Sequence, residues 1–307
     1  MTSGPVSGEL SISEIVRIGR DLADRLTRPD RVIVDPRRTP NPAHYPTVYG
    51  LTRHTLKCGA LVFDLYHLGW SVEIMPTVRL CYETALTAAW MSESREALAA
   101  ALNQGIDKRR KIAANMKASL ITMFTEGADS VAHSQDEHHD TIADATKQAR
   151  AFKELCQALA PAGIDAYVLY GVMSDFAHPS LPLSDQYLEL RADLSAGVAL
   201  LPESKPFEMD AWLFMTTASM LWAGRALDNM KAGSPDRTFL REKAVELGVA
   251  EQLTLTPAVR RAEYEAARAR RDAKRKGKKP RHRGTAPSSS DASDPDPVDE
   301  ASAAPSS

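Results

Sequence analysis

Two short polar patterns interrupt otherwise apolar stretches of this chain. Between Glu73 and Glu93 the only formal charges are Arg79 and Glu83, set among Ile74, Met75, Val78, Leu80, Ala85, Ala88, Ala89 and Trp90. Their four-residue spacing puts them on one helix face, where a guanidinium and a carboxylate neutralise each other and share hydrogen bonds. Further on, Tyr170, Ser174 and His178 recur every four residues. On a helix this is a polar stripe drifting by about 40° per step. Asp175 stands three residues before His178, placed to orient the imidazole, and Pro179 ends the helix so that His178 falls near its terminal carbonyls. The chemistry open to this set is proton transfer by His178 at a ribose hydroxyl or leaving oxygen, with Arg79 stabilising phosphate charge and Glu83 orienting Arg79. The plainer role is structural, as a buried ion pair with Tyr170, Ser174 and His178 bonded to a neighbouring helix. In either case the expectation is that the two stripes face each other across a bundle and form one polar chamber, with Tyr170, Ser174 and Asp175 as its binding residues.

Other chemistries are disfavoured by spacing. His133, His138 and His139, with Asp136, Glu137 and Asp140, invite a metal reading. His133 and His138 are five apart, however, off the four-residue interval that aligns two ligands on a helix, and adjacent histidines diverge. No metal and no cofactor is expected. The phosphate-binding GxxxxGK[ST] and GxGxxG patterns are absent, as are HExxH and GxSxG. Ser174 sits inside a helix, without the strained exposure that a serine nucleophile requires.

The elements that position these residues read as helices throughout. Ser11 and Glu14 have capping-box spacing ahead of Ile12, Ile15, Val16, Ile18, Leu22 and Leu26. Pro36, Pro40, Pro42 and Pro46 predict a non-helical linker over 31–49. Segments 51–68 and 72–91, split at Gly69, predict a helical hairpin. A long helix is expected over 95–124 with Gly105 as a break, followed by a polar turn over 125–140, a helix over 141–159 and another over 165–178. Segment 207–230 is apolar around most of its circumference and belongs at the centre. Strand alternation is absent, so the expected fold class is all-α, a bundle of six to eight helices over 11–250.

Charge is segregated along the chain. The net charge of −2 conceals twelve Lys or Arg against three acids between Arg260 and Arg283, followed by five acids and no base after Gly284. A basic helical arm is expected over 251–276, with Arg268, Arg270, Arg271, Lys274 and Arg275 as candidate nucleic-acid contacts and 260–283 as the partner-binding stretch. The arm lacks the apolar face that a membrane-surface helix needs. Residues 1–10 and 277–307 hold too few large apolar side chains to offset the entropy of folding and are expected to be disordered. Three cysteines without CxxC spacing exclude a disulfide scaffold, and no apolar run is long enough to span a bilayer. A cytoplasmic protein is the expectation.

The segments Arg79-Leu80-Cys81-Tyr82-Glu83 and Tyr170 through His178-Pro179-Ser180 resemble an uncharacterised bacterial all-helical family, a domain of unknown function. That resemblance covers roughly 51–227 and implies an all-helical fold with no established activity. The layout is also distantly similar to the HEPN (higher eukaryotes and prokaryotes nucleotide-binding) bundles, many of which are ribonucleases with an arginine and a later histidine separated by four to six residues on a late helix. Here Gly171, Val172 and Met173 occupy the places before His178, so a HEPN-like site requires Arg79 to serve from another helix. The leading expectation is a noncatalytic interaction or regulatory module, with the arm as its route to nucleic acid. The alternatives are a divergent HEPN-like ribonuclease using Arg79, Glu83 and His178, and a bundle that binds a small ligand.

Overall fold

The computed structural model describes residues 10–28, 33–35, 39, 41–94, 96–133, 149 and 151–277. The fold is all-α, with eleven α-helices and two small antiparallel sheets among the described residues. Helix α1 (Ile12–Leu26) starts where the capping box places it: the Ser11 hydroxyl accepts from the Glu14 amide, and the Glu14 carboxylate accepts from the Ser11 amide. Helix α2 (His44–His67) begins inside the proline-rich stretch, correcting the expectation of a linker up to residue 49. Pro46 falls in its first turn, where an amide has no intrahelical acceptor and its loss costs nothing. Gly69 then turns the chain with φ 87°, and a short 3₁₀ turn (Val72–Ile74) leads into α3 (Met75–Glu93), completing the expected hairpin.

Helix α4 (Ala97–Lys117) passes through Gly105 without a break, and the chain turns instead over Ser119–Ile121 before α5 (Thr122–His133). Glycine within a helix costs about 1 kcal/mol relative to alanine, too little to interrupt a segment rich in good helix formers. The polar residues expected to form a turn after 125 are thus helical as far as 133. Residues 134–148 lie outside the described set, and with them much of the helix expected over 141–159.

Helix α6 (Phe152–Ala158), strand β1 (Leu159–Ala160) and helix α7 (Gly163–Ala177) follow, then a single-turn α8 (Leu181–Asp185) and the hairpin β2 (Leu188–Leu190) and β3 (Val198–Leu200). Helix α9 (Asp210–Asn229) packs against α1, α2, α3 and α10 (Arg237–Leu247), the central position expected for segment 207–230. Strand β4 (Thr254–Leu255) pairs with β1 ahead of α11 (Pro257–Gly277). Two- and three-residue strands are too short to show alternation, which is why the sequence concealed them.

Close helix approaches rest on particular glycines. A Cβ at Gly19 of α1 would overlap the Phe63 ring of α2, and one at Gly59 of α2 would overlap Met220 of α9. By its internal contacts the first unit of the chain ends at Tyr264, inside α11. Two contacts hold the first turns of α11 to the end of α3 within the first unit: Ser94 Oγ donates to Glu263, and Arg260 stands 3.8 Å from Glu93. Among the described residues no helix is long and apolar enough to cross a membrane. The expectations for residues 1–9 and 278–307 lie outside the described set.

Candidate functional site

The two polar stripes meet at Arg79. From α3 its Nη1 donates to His178 Nε2 and its Nη2 donates to the Tyr170 hydroxyl, with the guanidinium carbon 4.6 Å from the centroid of the Tyr170 ring. Tyr170 and His178 are eight residues apart, about 12 Å of helical rise, yet both reach one side chain. His178 does so because it is the C-cap of α7, extended at φ −124° and ψ 159°, and so leaves the helical course of its stripe. The Tyr170 ring is held in turn by Phe152, 4.5 Å away between centroids, and by Tyr167 at 6.1 Å. Three residues past Arg79, Tyr82 donates its hydroxyl to the Ala166 carbonyl at 3.1 Å, a second tie in the same α3–α7 seam.

Glu83 has a smaller part than its spacing suggested. Its carboxylate is 4.0 Å from Arg79 Nη2 and its side chain is 39% exposed, whereas that of Arg79 is 16% exposed. The guanidinium therefore answers mainly to α7 and not to its own helix. Ser174 donates to the Tyr170 carbonyl at 2.7 Å, a bond within α7 that takes it out of the expected contact with a neighbouring helix. Asp175 is exposed, and the His178 imidazole meets Arg79 where an Asp175 contact was expected.

A guanidinium has no acceptor, so in this contact Arg79 donates and Nε2 of His178 accepts. Arg79 Nε is buried and has no hydrogen-bond partner among the described residues. The nearby Cys156 is buried, and burial, with the Glu83 charge adding and a backbone bond opposing, pushes its thiol up to about 12. Among the described residues no group of three His, Cys, Asp or Glu side chains could hold a metal. His133 closes α5, and His138, His139, Asp136, Glu137 and Asp140 lie outside the described residues.

A second polar cluster escaped the sequence reading. Arg225 near the end of α9 donates from Nη1 to Asp228 at 2.9 Å, with both side chains almost wholly buried, and its Nε is 3.0 Å from Glu251. The other Asp228 oxygen accepts the Asp236 amide at 2.9 Å. Asp236 in turn accepts from Arg25 Nε at 2.9 Å and Lys231 at 3.0 Å. Burial pushes the Asp228 carboxyl above its ordinary value, against the Asp236 amide and the Arg225 charge, which lower it. The available signal was the i, i+3 pair Arg225 and Asp228 inside an apolar helix, the kind of interruption that singled out Arg79 and Glu83.

In the arm, Arg268, Arg270 and Arg271 are exposed along α11, and Lys274 and Arg275 fall in its last turns. Comparison with family models, with curated proteins and with solved structures finds no match to this chain.

Proposed function

We propose that this chain is a noncatalytic helical binding module that reaches nucleic acid through the basic residues of α11 from Arg268 onward. The observation that carries this reading is the way Arg79 is used. Its two terminal nitrogens are taken up by Tyr170 and His178, and its face lies on the Tyr170 ring. A guanidinium spent inside the protein is not offered to a phosphate, and a His178 whose Nε2 is occupied is not offered to a ribose hydroxyl. The arm differs, since Arg268 and Arg271 are exposed and one turn apart. Arginine repeated along an exposed helix favours the phosphate backbone over any base sequence, so affinity should be sequence-tolerant and fall steeply with salt.

The test replaces Arg268, Arg270, Arg271, Lys274 and Arg275 together by alanine in the full chain and titrates labelled single-stranded RNA and duplex DNA at low ionic strength. Loss of most of the affinity and a shallower dependence on log salt support the reading. Unchanged affinity removes the arm from it.

A second reading, the divergent HEPN-like ribonuclease, is favoured by one observation, the meeting of Arg79 and His178 from different helices. It requires RNA to displace Tyr170 and His178 from Arg79. RNA cleavage by the purified chain that disappears in both Arg79→Ala and His178→Ala, with both variants folded, would favour it over the noncatalytic module.

A further inference from the structure

The buried charges at the end of α9 border a cavity of about 440 Å³ that the interhelical cluster does not touch. The cavity lies at the far end of α3, beside Ser92, Glu93 and Ser94, some fourteen residues or about 21 Å of helix from Arg79. Three arginines line it, Arg225, Arg237 and Arg260, together with Asn229, Ser234 and Thr254, all within Met1–Tyr264. Among the described residues its lining includes no Phe, Tyr or Trp and no aliphatic side chain. Small-molecule pockets are usually mostly apolar with a few placed polar groups. Here the ratio is reversed, so the ligand that fits is polar over most of its surface. The one ring in the lining among the described residues is His44, which is 2% exposed and bonded to the Met91 carbonyl, so it offers no open face on which a nucleobase could stack.

We propose that this cavity binds a small, non-aromatic sugar phosphate, with its phosphoryl group on Arg237 and Arg260 and its hydroxyls on the amide and hydroxyl side chains. Glu251 stands beside the arginines: one oxygen of its carboxylate is 3.0 Å from Nε of Arg225 and 3.9 Å from Nε of Arg237, charge contacts without hydrogen-bond geometry. Asp228 takes Nη1 of Arg225 from below. Arg225 is thus fixed by Asp228, whereas Arg237 and Arg260 are 63% and 60% exposed, and donor forks of this kind are what a phosphoryl group selects. The one carboxylate in the lining, Glu93, is engaged by Gln252 at 2.8 Å and approached by Arg260 at 3.8 Å. Arg225 is spent on Asp228 and Glu251, so the cations open to an anion are Arg237 and Arg260, each with its nearest carboxylate 3.8–3.9 Å away. The Asn229 side chain lines the cavity, where its amide can both donate to and accept from a bound hydroxyl. The volume exceeds what a bare oxyanion fills, and the hydroxyls of Ser234 and Thr254 complete a surface suited to a polyol.

The test is calorimetric titration and thermal shift of the full chain with ribose 5-phosphate, inorganic phosphate, ribose, citrate and AMP at matched ionic strength. Arg237→Ala is the first variant, because that side chain is 63% exposed and its nearest carboxylate is 3.9 Å away, so the fold does not depend on it. Asn229→Ala is the second, aimed at the hydroxyls. Expected are saturable binding of ribose 5-phosphate, at least tenfold weaker binding in Arg237→Ala, and a loss in Asn229→Ala that inorganic phosphate binding does not share. Absence of binding, or affinity unchanged in both folded variants, overturns the proposal. Citrate or AMP bound more tightly than ribose 5-phosphate, or inorganic phosphate bound as tightly, overturns the ligand class.

Discussion

Arg79 and His178 lie 99 positions apart and share a hydrogen bond in which the imidazole is the acceptor. With Tyr170 completing the contact, α3 and α7 are joined by a cation that gives up most of its hydration. Arg79→Ala removes two charge-assisted hydrogen bonds and the packing of the guanidinium on the Tyr170 ring, while the exposed His178 regains water. A loss of about 2–4 kcal/mol is expected in urea unfolding. Tyr170→Phe keeps the ring and should lose about 1–2 kcal/mol. Arg79→Lys should not restore stability, because one ammonium cannot present two donors in a planar fork. An Arg79→Ala variant as stable as the parent would show that the contact does not hold the seam together.

How much of this was legible in the sequence depends on which forces set each feature. The Ser11 and Glu14 cap, the hairpin turn at Gly69 and the termination of α7 at Pro179 are local, and local residue types determine them. The meeting of Arg79 with Tyr170 was expected from two polar interruptions in apolar faces. The secondary part of Glu83 was not, because it depends on how α3 is rotated against α7, which no spacing within α3 reveals. Ser174 was misplaced because a helical hydroxyl has a competing acceptor in its own chain at i−4. Glu251 lies outside any helix and approaches Arg225 only through the tertiary fold, so the cavity beside it had no linear pattern.

Asp228 should be the most sensitive carboxylate in the bundle. It is fully buried and accepts from both Arg225 and the Asp236 amide. Asp228→Ala strands a buried guanidinium and a buried amide at once, and about 3–5 kcal/mol should be lost. Asp193→Ala breaks a bidentate pair with Arg191 on the surface, where water replaces the partner, so its unfolding midpoint should stay near that of the parent. Guanidinium chloride unfolding of the two variants side by side measures the contrast, and equal midpoints would contradict it.

His44 gives the stability a pH dependence of definite sign. It is 2% exposed, and its Nε2 donates to the Met91 carbonyl at 2.6 Å. Burial holds its pKa below the ordinary 6.5, with the Met91 bond acting in the opposite direction. The unfolded chain therefore takes up the proton at a higher pH than the folded one. Stability from this residue is present above the unfolded value and is lost as pH falls through the folded one. Replacing His44 with Gln retains a donor and removes the titration. Between about pH 7 and about pH 5 the parent should lose more stability than His44→Gln. Parallel slopes in chemical unfolding would remove His44 as the source.

Two glycines that look alike in the sequence should respond differently to alanine. A Cβ at Gly19 meets the Phe63 ring, which is completely buried and rigid, and also approaches Thr217 at 3.1 Å. A Cβ at Gly59 meets the Met220 side chain, an unbranched thioether with several rotatable bonds that can move aside. Alanine also gains helix propensity at both positions, about 1 kcal/mol each. At Gly19 the overpacking of an aromatic ring, about 1–3 kcal/mol, should exceed that gain, so Gly19→Ala is expected to be net destabilising. At Gly59 the displacement is shared along a flexible chain, and Gly59→Ala should fall closer to the parent. Thermal unfolding of both variants decides it: the ordering Gly19→Ala below Gly59→Ala follows from the stiffness of the neighbour, and the reverse ordering would mean that the α1–α2 contact yields more readily than the α2–α9 contact.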